Sequence, residues 1–346
     1  MGIKIPDGDY VYINGDETSQ DATRFGVSDS GFFTVETKVS GGSFEVVEDI
    51  TQGAHVPTQG YCAGGYAGSN NNVIQKFDFG TNNDAVDHGD LTVAKRGNGG
   101  ASSSTQGHTC GGYASSNVSS IDVFDFGTNS NATDYGDLLN PSLSHSAHQS
   151  TTDGYTAGGF NNPTRYNNIQ RFAFGTNGNS VDLGDLSVAN IFTNGCSSST
   201  DGYVCSGNTL AEGYNYKGVE KFAFGTSNNA TNYGDLLISH ASGGSCSSDI
   251  DGYIGGGYSI TLRTLAITKF SFSGTINSED FGDLTYLAYY PGESSGTTDG
   301  YIYGGNYTNP SVVTNIIHKF AFGTSNNATD FGNLISSMQS IFGMEG

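Results

Sequence analysis

The sequence predicts an all-β chain folded as a propeller of four-stranded antiparallel blades, and three observations carry that prediction. A motif of about 48 residues recurs six times, each copy opening on a glycine: Gly60, Gly107, Gly154, Gly202, Gly252 and Gly300. A fixed period of roughly 20–50 residues marks a repeat architecture. Segments such as 73–79 alternate apolar and polar residues over a strand's length. They are bounded by Gly, Asn, Asp and Ser clusters, which form turns rather than cap helices. Finally, each copy has room for four such strands, and four antiparallel strands in a repeat of this length make one blade.

The elements follow in order within a copy. In the second, strand a is expected at 100–104, strand b at 108–112, strand c at 121–126 and strand d around 135–138. Strand b opens on Thr-Asp-Gly-Tyr or a near variant and ends in a small-residue doublet such as Gly64-Gly65 or Gly158-Gly159. Strand c carries a spaced aromatic pair before a glycine, as in Lys221-Phe222-Ala223-Phe224-Gly225. Strand d closes on Gly-Asp-Leu, as at Gly89-Asp90-Leu91, or on Gly332-Asn333-Leu334 in the last copy. Strands nearest a propeller axis are crowded, and the serines at 102–104, 197–199 and 247–248 meet that demand. Phe and Leu of strands c and d are then expected to fill the layers between blades, where packed sheets lie about 10 Å apart.

Apolar residues followed by Gly-Gly, a loop and a spaced aromatic pair resemble the kelch repeat, over roughly residues 53–346. The pattern departs from kelch in having no Trp, with Gly-Asp-Leu on strand d after a Tyr, Phe, His or Leu. The wording Phe-Ala-Phe-Gly-Thr-Ser-Asn-Asn-Ala-Thr at 320–329, followed by Asp-Phe-Gly-Asn-Leu, is similar to kelch-like proteins encoded by marine bacteriophages. The ring also resembles the copper oxidase propeller, which implies a Tyr/His/Cys copper site; no position here matches it.

Two ring closures are open. Residues 1–57 read as a worn copy, with a strand b at 7–15, a strand c at 32–39, a strand d at 43–50 and no strand a. The tail at 335–346 sits where the other copies place strand a. The favoured expectation is seven blades, one shared by both termini so that no sheet edge is left open. The alternative is six blades with an N-terminal arm docked on another subunit. Either way a single domain over 1–346 is expected, with 58–346 as six regular repeats.

Composition narrows the function. Glycine contributes 52 of 346 residues, which suits a protein made largely of turns, and periodic aromatics at 12% argue against disorder. Net charge is −21 with only 13 Lys and Arg, so no basic patch points to nucleic acid, anionic membrane or sulfated glycan. No apolar run approaches the length of a membrane span. Residues 1–7 lack the apolar core of a signal peptide, so the expectation is an intracellular protein or one released inside a virus particle.

Chemistry-bearing residues form no catalytic constellation, and no enzyme, cofactor or metal is expected. Cys62, Cys110, Cys196, Cys205 and Cys246 show no C-x-x-C spacing and read as small buried residues; Cys196 and Cys205 flank one turn, leaving a disulfide there open. The seven histidines are scattered over different repeat positions, and His145 and His148 are expected on opposite faces of a strand. No Gly-x-Ser-x-Gly elbow with an ordered His and acid occurs. The Asn- and Asp-rich stretches at 82–87, 228–231 and 326–329 hold oxygen ligands but match no calcium-loop spacing, and turn formation accounts for them. Asn131, Asn229 and Asn327 stand in Asn-Ala-Thr sequons that are read as turns.

Topology then separates two rims. The a–b and c–d turns emerge on one face of each blade and barely vary between copies. The b–c and d–a loops emerge on the other and differ in every copy, which points to recognition on that face. Tyrosine is an adaptable contact residue with a low ordering cost. The candidate binding residues are therefore Arg165, Tyr166, Tyr214, Tyr216, Tyr286, Tyr289, Tyr290 and Tyr307. The resemblance implies a structural protein of a bacteriophage virion, in its tail, tail fibre or another appendage, assembled in the host cytoplasm. Its expected partners are other virion proteins and a host-surface glycan or protein, within a homo- or hetero-oligomeric assembly. The other reading is a cellular kelch-like module that binds protein or glycan.

Overall fold

The computed structural model describes residues 57–346 except 260, 261, 275, 277 and 308–311, together with the backbone of four strands before residue 57. The chain divides into two compact units, 1–56 and 57–346. The first contains an antiparallel meander of Tyr10–Asn14, Ala22–Val27, Phe33–Lys38 and Glu45–Ile50, each strand paired with the next. Three of these are the strands expected at 7–15, 32–39 and 43–50; Ala22–Val27 was not anticipated, and Asp7 and Gly8 lie outside the described residues.

The second unit is a ring of six four-stranded sheets. The second blade runs Gly99–Ser102, Gln106–Cys110, Ser120–Asp125, Thr133–Asp137 from inner strand a to outer strand d. The inner strands of the third to sixth blades are Ser146–Gln149, Asn194–Ser197, Gly244–Ser247 and Gly292–Ser295. The first blade takes its inner strand from the far end of the chain: Phe342–Glu345 pairs with Gln59–Ala63, placing Phe342 opposite Ala63 and Glu345 opposite Gly60. Each inner strand neighbours the next around the circle, and Phe342–Glu345 touches both Gly292–Ser295 and Gly99–Ser102.

The favoured seven-blade expectation is thus corrected to the six-blade alternative. The tail does supply a strand a, but to the repeat that opens at Gly60. The four strands within 10–50 form a four-stranded sheet of their own. Six buried apolar clusters, one at each seam between neighbouring blades, give the same count.

The repeated motif follows from this packing. A Cβ on Gly300 would come within 2.4 Å of the Phe320 ring on the paired strand, and the other five opening glycines face their own Phe in the same way. The following tyrosine stacks on the second Phe of the next blade: Tyr155 on Phe224, Tyr203 on Phe272, Tyr253 on Phe322 and Tyr301 on Phe79, at 4.4–4.7 Å between centroids. In the second blade His108 takes that place against Phe174. Such pairs contribute about 0.5–1.5 kcal/mol each beyond the area they bury.

The Gly-Asp-Leu and Asn-Ala-Thr signatures belong together across a seam. Asn131, Asn179, Asn229 and Asn327 each accept, through Oδ1, the backbone N–H of the Asp in the preceding blade's Gly-Asp-Leu, at 3.0–3.1 Å. Ala132, Ala230 and Ala328 return a backbone bond to that Asp's carbonyl. The glycine is needed because a Cβ on Gly136 would lie 2.4 Å from the Gly178 carbonyl oxygen. These side chains act as fasteners between blades, which accounts for the conserved wording of that rim.

Strand a was expected one or two residues too late. It is Gly99–Ser102 in the second blade, and Ser103 sits in the a–b turn, where its Oγ accepts the N–H of Gln106 at 3.0 Å. Serine serves the turn as well as the crowded axis.

Candidate functional site

The d–a connections converge on the axis at the variable rim. Each places one residue in the left-handed region, two positions before its inner strand: Gly97, Ser144, Phe192, Ser242, Tyr290 and Ser340, with φ between 55° and 63°. The N–H of each donates to the carbonyl of its counterpart one blade back at 2.8–3.0 Å, and Gly97 completes the circle by donating to Ser340. A closed belt of six main-chain hydrogen bonds therefore rings the axis. It holds five non-glycine residues in a conformation that costs about 1–2 kcal/mol apiece. For serine the conformation is uncommon; for Phe192 and Tyr290 it is a genuine outlier.

Over this belt opens a cavity of about 460 Å³, walled by Leu143, Phe160, Phe192, Tyr290, Ile341 and Phe342 among others. Arg96 stands at its edge between the rings of Tyr66 and Tyr113, 4.5 and 5.0 Å from their centroids, and donates Nη1–H to Asn70 Oδ1 at 3.3 Å. On the side of the fourth to sixth blades the wall extends into a run of rings. Phe192 stacks with Tyr214 at 6.0 Å and meets Tyr290 edge-on at 5.7 Å. Tyr214 touches Tyr258 at 5.0 Å, Tyr258 touches Tyr289 at 5.9 Å, and Tyr289 touches Tyr290 at 4.0 Å. Burial raises the pKa of Tyr289 and Tyr290, so both phenols stay protonated donors at neutral pH.

A buried polar layer supports the loops from outside the axis. The third residue of each strand c is Gln75, Asp122, Gln170, Glu220, Thr268 or His318, none more than 3% exposed. Gln75, Gln170 and Glu220 accept the backbone N–H of Ile335, Leu139 and Ser187 in the preceding blade's d–a loop, at 2.6–2.7 Å. Asp122 accepts from Thr92 Oγ1 at 2.6 Å and pairs with Lys95 at 3.0 Å, both ionic side chains fully buried.

Of the eight residues singled out by sequence, Tyr214, Tyr289 and Tyr290 meet in the aromatic run. Tyr286 and Tyr307 form a smaller group with His318, the rings 4.3–5.8 Å apart. Burial raises the Tyr286 phenol and lowers His318 to about 4. Arg165 spans two blades, donating Nη1–H to the carbonyl and Oδ1 of Asn208 at 2.6 and 2.8 Å. Tyr216 folds back over Gly218 and donates its hydroxyl to Glu220 Oε1 at 3.3 Å. Tyr166 is partly exposed, with its N–H bonded to the Gly159 carbonyl. Sequence reasoning missed Phe192 and Tyr258. Aligning the copies at two residues before strand a would have exposed Phe192 and Tyr290 as the large residues in a slot that otherwise holds Gly or Ser.

The cysteines and the paired histidines lie within and between the blades. All five cysteines are free and buried, so the open option of a Cys196–Cys205 disulfide is closed. His145 bonds Ser142 Oγ within its own loop, whereas His148 bonds the Cys196 carbonyl of the next blade; burial lowers both to about 4. Among the described residues no group of three or more His, Cys, Asp or Glu is placed to hold a metal, and no helix could cross a membrane.

Fold and site together define a β-propeller with six kelch-like four-stranded blades and an aromatic cavity on its axis. No family model and no curated protein sequence matches the chain. Solved structures do match its fold, among them the structure of YjhT, with a TM-score of 0.61 at 12% identity, covering 72% of this chain and 87% of that one.

Proposed function

We propose that the protein is a non-enzymatic recognition component of a bacteriophage virion, in its tail, tail fibre or another appendage, and that it binds a host-surface glycan at the axial aromatic cavity. The observation that carries the recognition half is the placement of Phe192 and Tyr290. Both occupy strained belt positions where three sister blades use serine and one uses glycine. Strain retained at a site marks a functional demand. Their rings, with Tyr214 and Tyr258, offer faces on which a sugar ring stacks, and protonated phenols offer donors to its hydroxyls. The opposite rim is occupied by fasteners between blades, which leaves contact to the varied one. The virion half rests on the resemblance of the repeat wording to marine phage proteins.

Binding of the purified chain to host cells and to arrayed glycans tests the first half. Phe192→Ser/Tyr290→Ser is expected to fold and to lose binding at least tenfold; undiminished binding removes the axial cavity from the account. Immunogold labelling of purified particles tests the second half, and unlabelled virions favour a cellular module of the same kind.

A further inference from the structure

The inner strands present alternate side chains to a narrow lumen. In Ser146–Gln149, Asn194–Ser197 and Gly292–Ser295 the second and fourth residues keep accessible surface while the first and third are more buried. The second positions around the ring are Gly100, Ala147, Gly195, Ser245, Glu293 and Gly343; the fourth are Ser102, Gln149, Ser197, Ser247, Ser295 and Glu345. Ten of these twelve positions hold neutral residues; the other two are the acids Glu293 and Glu345, on the two strands that meet where the ring closes.

No base faces them. The titratable groups that act on Glu293 are Glu345 and Cys196, and Cys246 and Tyr303 lie within the same field. The strand Gln59–Ala63 brings only Tyr61 and Cys62, Gly99–Ser102 brings no titratable side chain, and His148 is bonded to the Cys196 carbonyl and Ser146 Oγ. Gln149 donates Nε2–H to Glu345 Oε1 across the lumen. Glu293 Oε2 is buried with no hydrogen-bond partner among the described residues. Both residues retain some accessible area, as lumen side chains do, yet protein surrounds them. Burial raises Glu345 from 4.5 to about 7 and Glu293 well above 4.5.

We propose that closure of the ring by Phe342–Glu345 is proton-dependent: the strand seats with the two lumen carboxyls neutral, and loss of their protons loosens the seam between the first and sixth blades. The sign follows from linkage. A carboxyl whose closed-state pKa is raised binds its proton more tightly closed than open, so opening becomes easier as pH rises from 4.5 through about 7 for Glu345 and further for Glu293. The device is independent of any ligand at the axial cavity.

Hydrogen exchange of the peptide covering 340–346, corrected for intrinsic rate, reads it directly. Between about pH 5 and about pH 8 the opening equilibrium is expected to rise by up to about tenfold per pH unit for each proton released. Glu293→Gln/Glu345→Gln is expected to exchange slowly at every pH. If the double variant does not fold, Glu345→Gln alone is read the same way, with a reduced slope. A flat wild-type profile, or a slope that survives the Gln substitutions, overturns the proposal. So does slow exchange restored at the upper pH by millimolar calcium chloride in wild type alone, which would make the pair a cation site.

Discussion

Tyr303 ties the first and sixth blades together where the ring closes, and Tyr303→Phe measures its contribution. The corresponding position of strand b is Ala63, Cys110, Ala157, Cys205 or Gly255 in the other blades, so only the sixth places a large ring there. Space for it comes from two glycines: a Cβ on Gly292 would lie 2.4 Å from the ring and one on Gly343 would lie 2.2 Å from its hydroxyl. That hydroxyl lies 3.0 Å from the Tyr61 carbonyl, 2.9 Å from the Glu293 carbonyl and 2.9 Å from Ser294 Oγ, linking the first and sixth blades. Ser294 Oγ in turn donates to the Met344 carbonyl on the closing strand at 2.8 Å. Removing the hydroxyl leaves buried acceptors unpaired, which costs about 1–3 kcal/mol. For a cooperative unit spanning 57–346, an unfolding entropy of about 2.1 cal/mol/K per residue turns 2 kcal/mol into a Tm loss of roughly 3 °C. Tyr303→Ala adds a cavity and is expected to cost about 3–5 kcal/mol in all. Thermal unfolding followed by circular dichroism, with Tyr155→Phe as the control at another seam, provides the assay. A Tyr303→Phe protein as stable as wild type, or no more destabilised than Tyr155→Phe, refutes the reasoning.

Further outcomes follow from the same packing. Gly300→Ala forces a Cβ onto the Phe320 ring and is expected to lose about 1–3 kcal/mol in chemical denaturation. Lys95→Met strands the buried Asp122 and should cost about 3–5 kcal/mol, whereas Lys95→Met/Asp122→Leu should recover most of it; equal losses in both would contradict the pairing. His108, His145, His148, His240 and His318 are lowered by burial from 6.5 to about 4, so they stabilise the fold fully above pH 6.5 and lose that contribution as pH falls towards 4. Global Tm should therefore fall on acidification through that window, opposite in sign to the opening of the 342–345 strand. Asn229→Ala removes one fastener and should cost about 0.5–1.5 kcal/mol without changing glycan binding.

Much of the architecture was legible because a propeller repeats its contacts. The contact of Gly300 with Phe320 is made in every copy and that of Asn327 with the N–H of Asp283 recurs at four seams, so the same physics wrote the same letters again and again. What varied between copies was harder to read. The polar layer of Gln75, Asp122, Gln170, Glu220, Thr268 and His318 performs one task with five residue types, and no periodic letter announces it. Blade count was ambiguous for a different reason. Strand pairing is set by long-range register, and the alternation within 10–50 fits a self-paired meander as well as a worn blade. At the site, sequence found Tyr214, Tyr289 and Tyr290 from their loops but not Phe192, whose importance lies in a backbone angle that composition does not reveal. Arg165, chosen as an exposed contact, is engaged by Asn208 because neighbouring b–c loops sit close enough to be tied together.

Ring closure by the 342–345 strand is the claim on which the belt, the cavity and the lumen all depend. Ala63 and Phe342 are register partners across that closure, and antiparallel partners stand at a Cα separation suited to a disulfide. In a Cys62→Ser background, Ala63→Cys/Phe342→Cys should oxidise to a single intramolecular bond in the native protein, visible as a faster band on a non-reducing gel and as a higher Tm. Two thiols that stay reduced in the folded protein under the same oxidant would contradict the six-bladed ring.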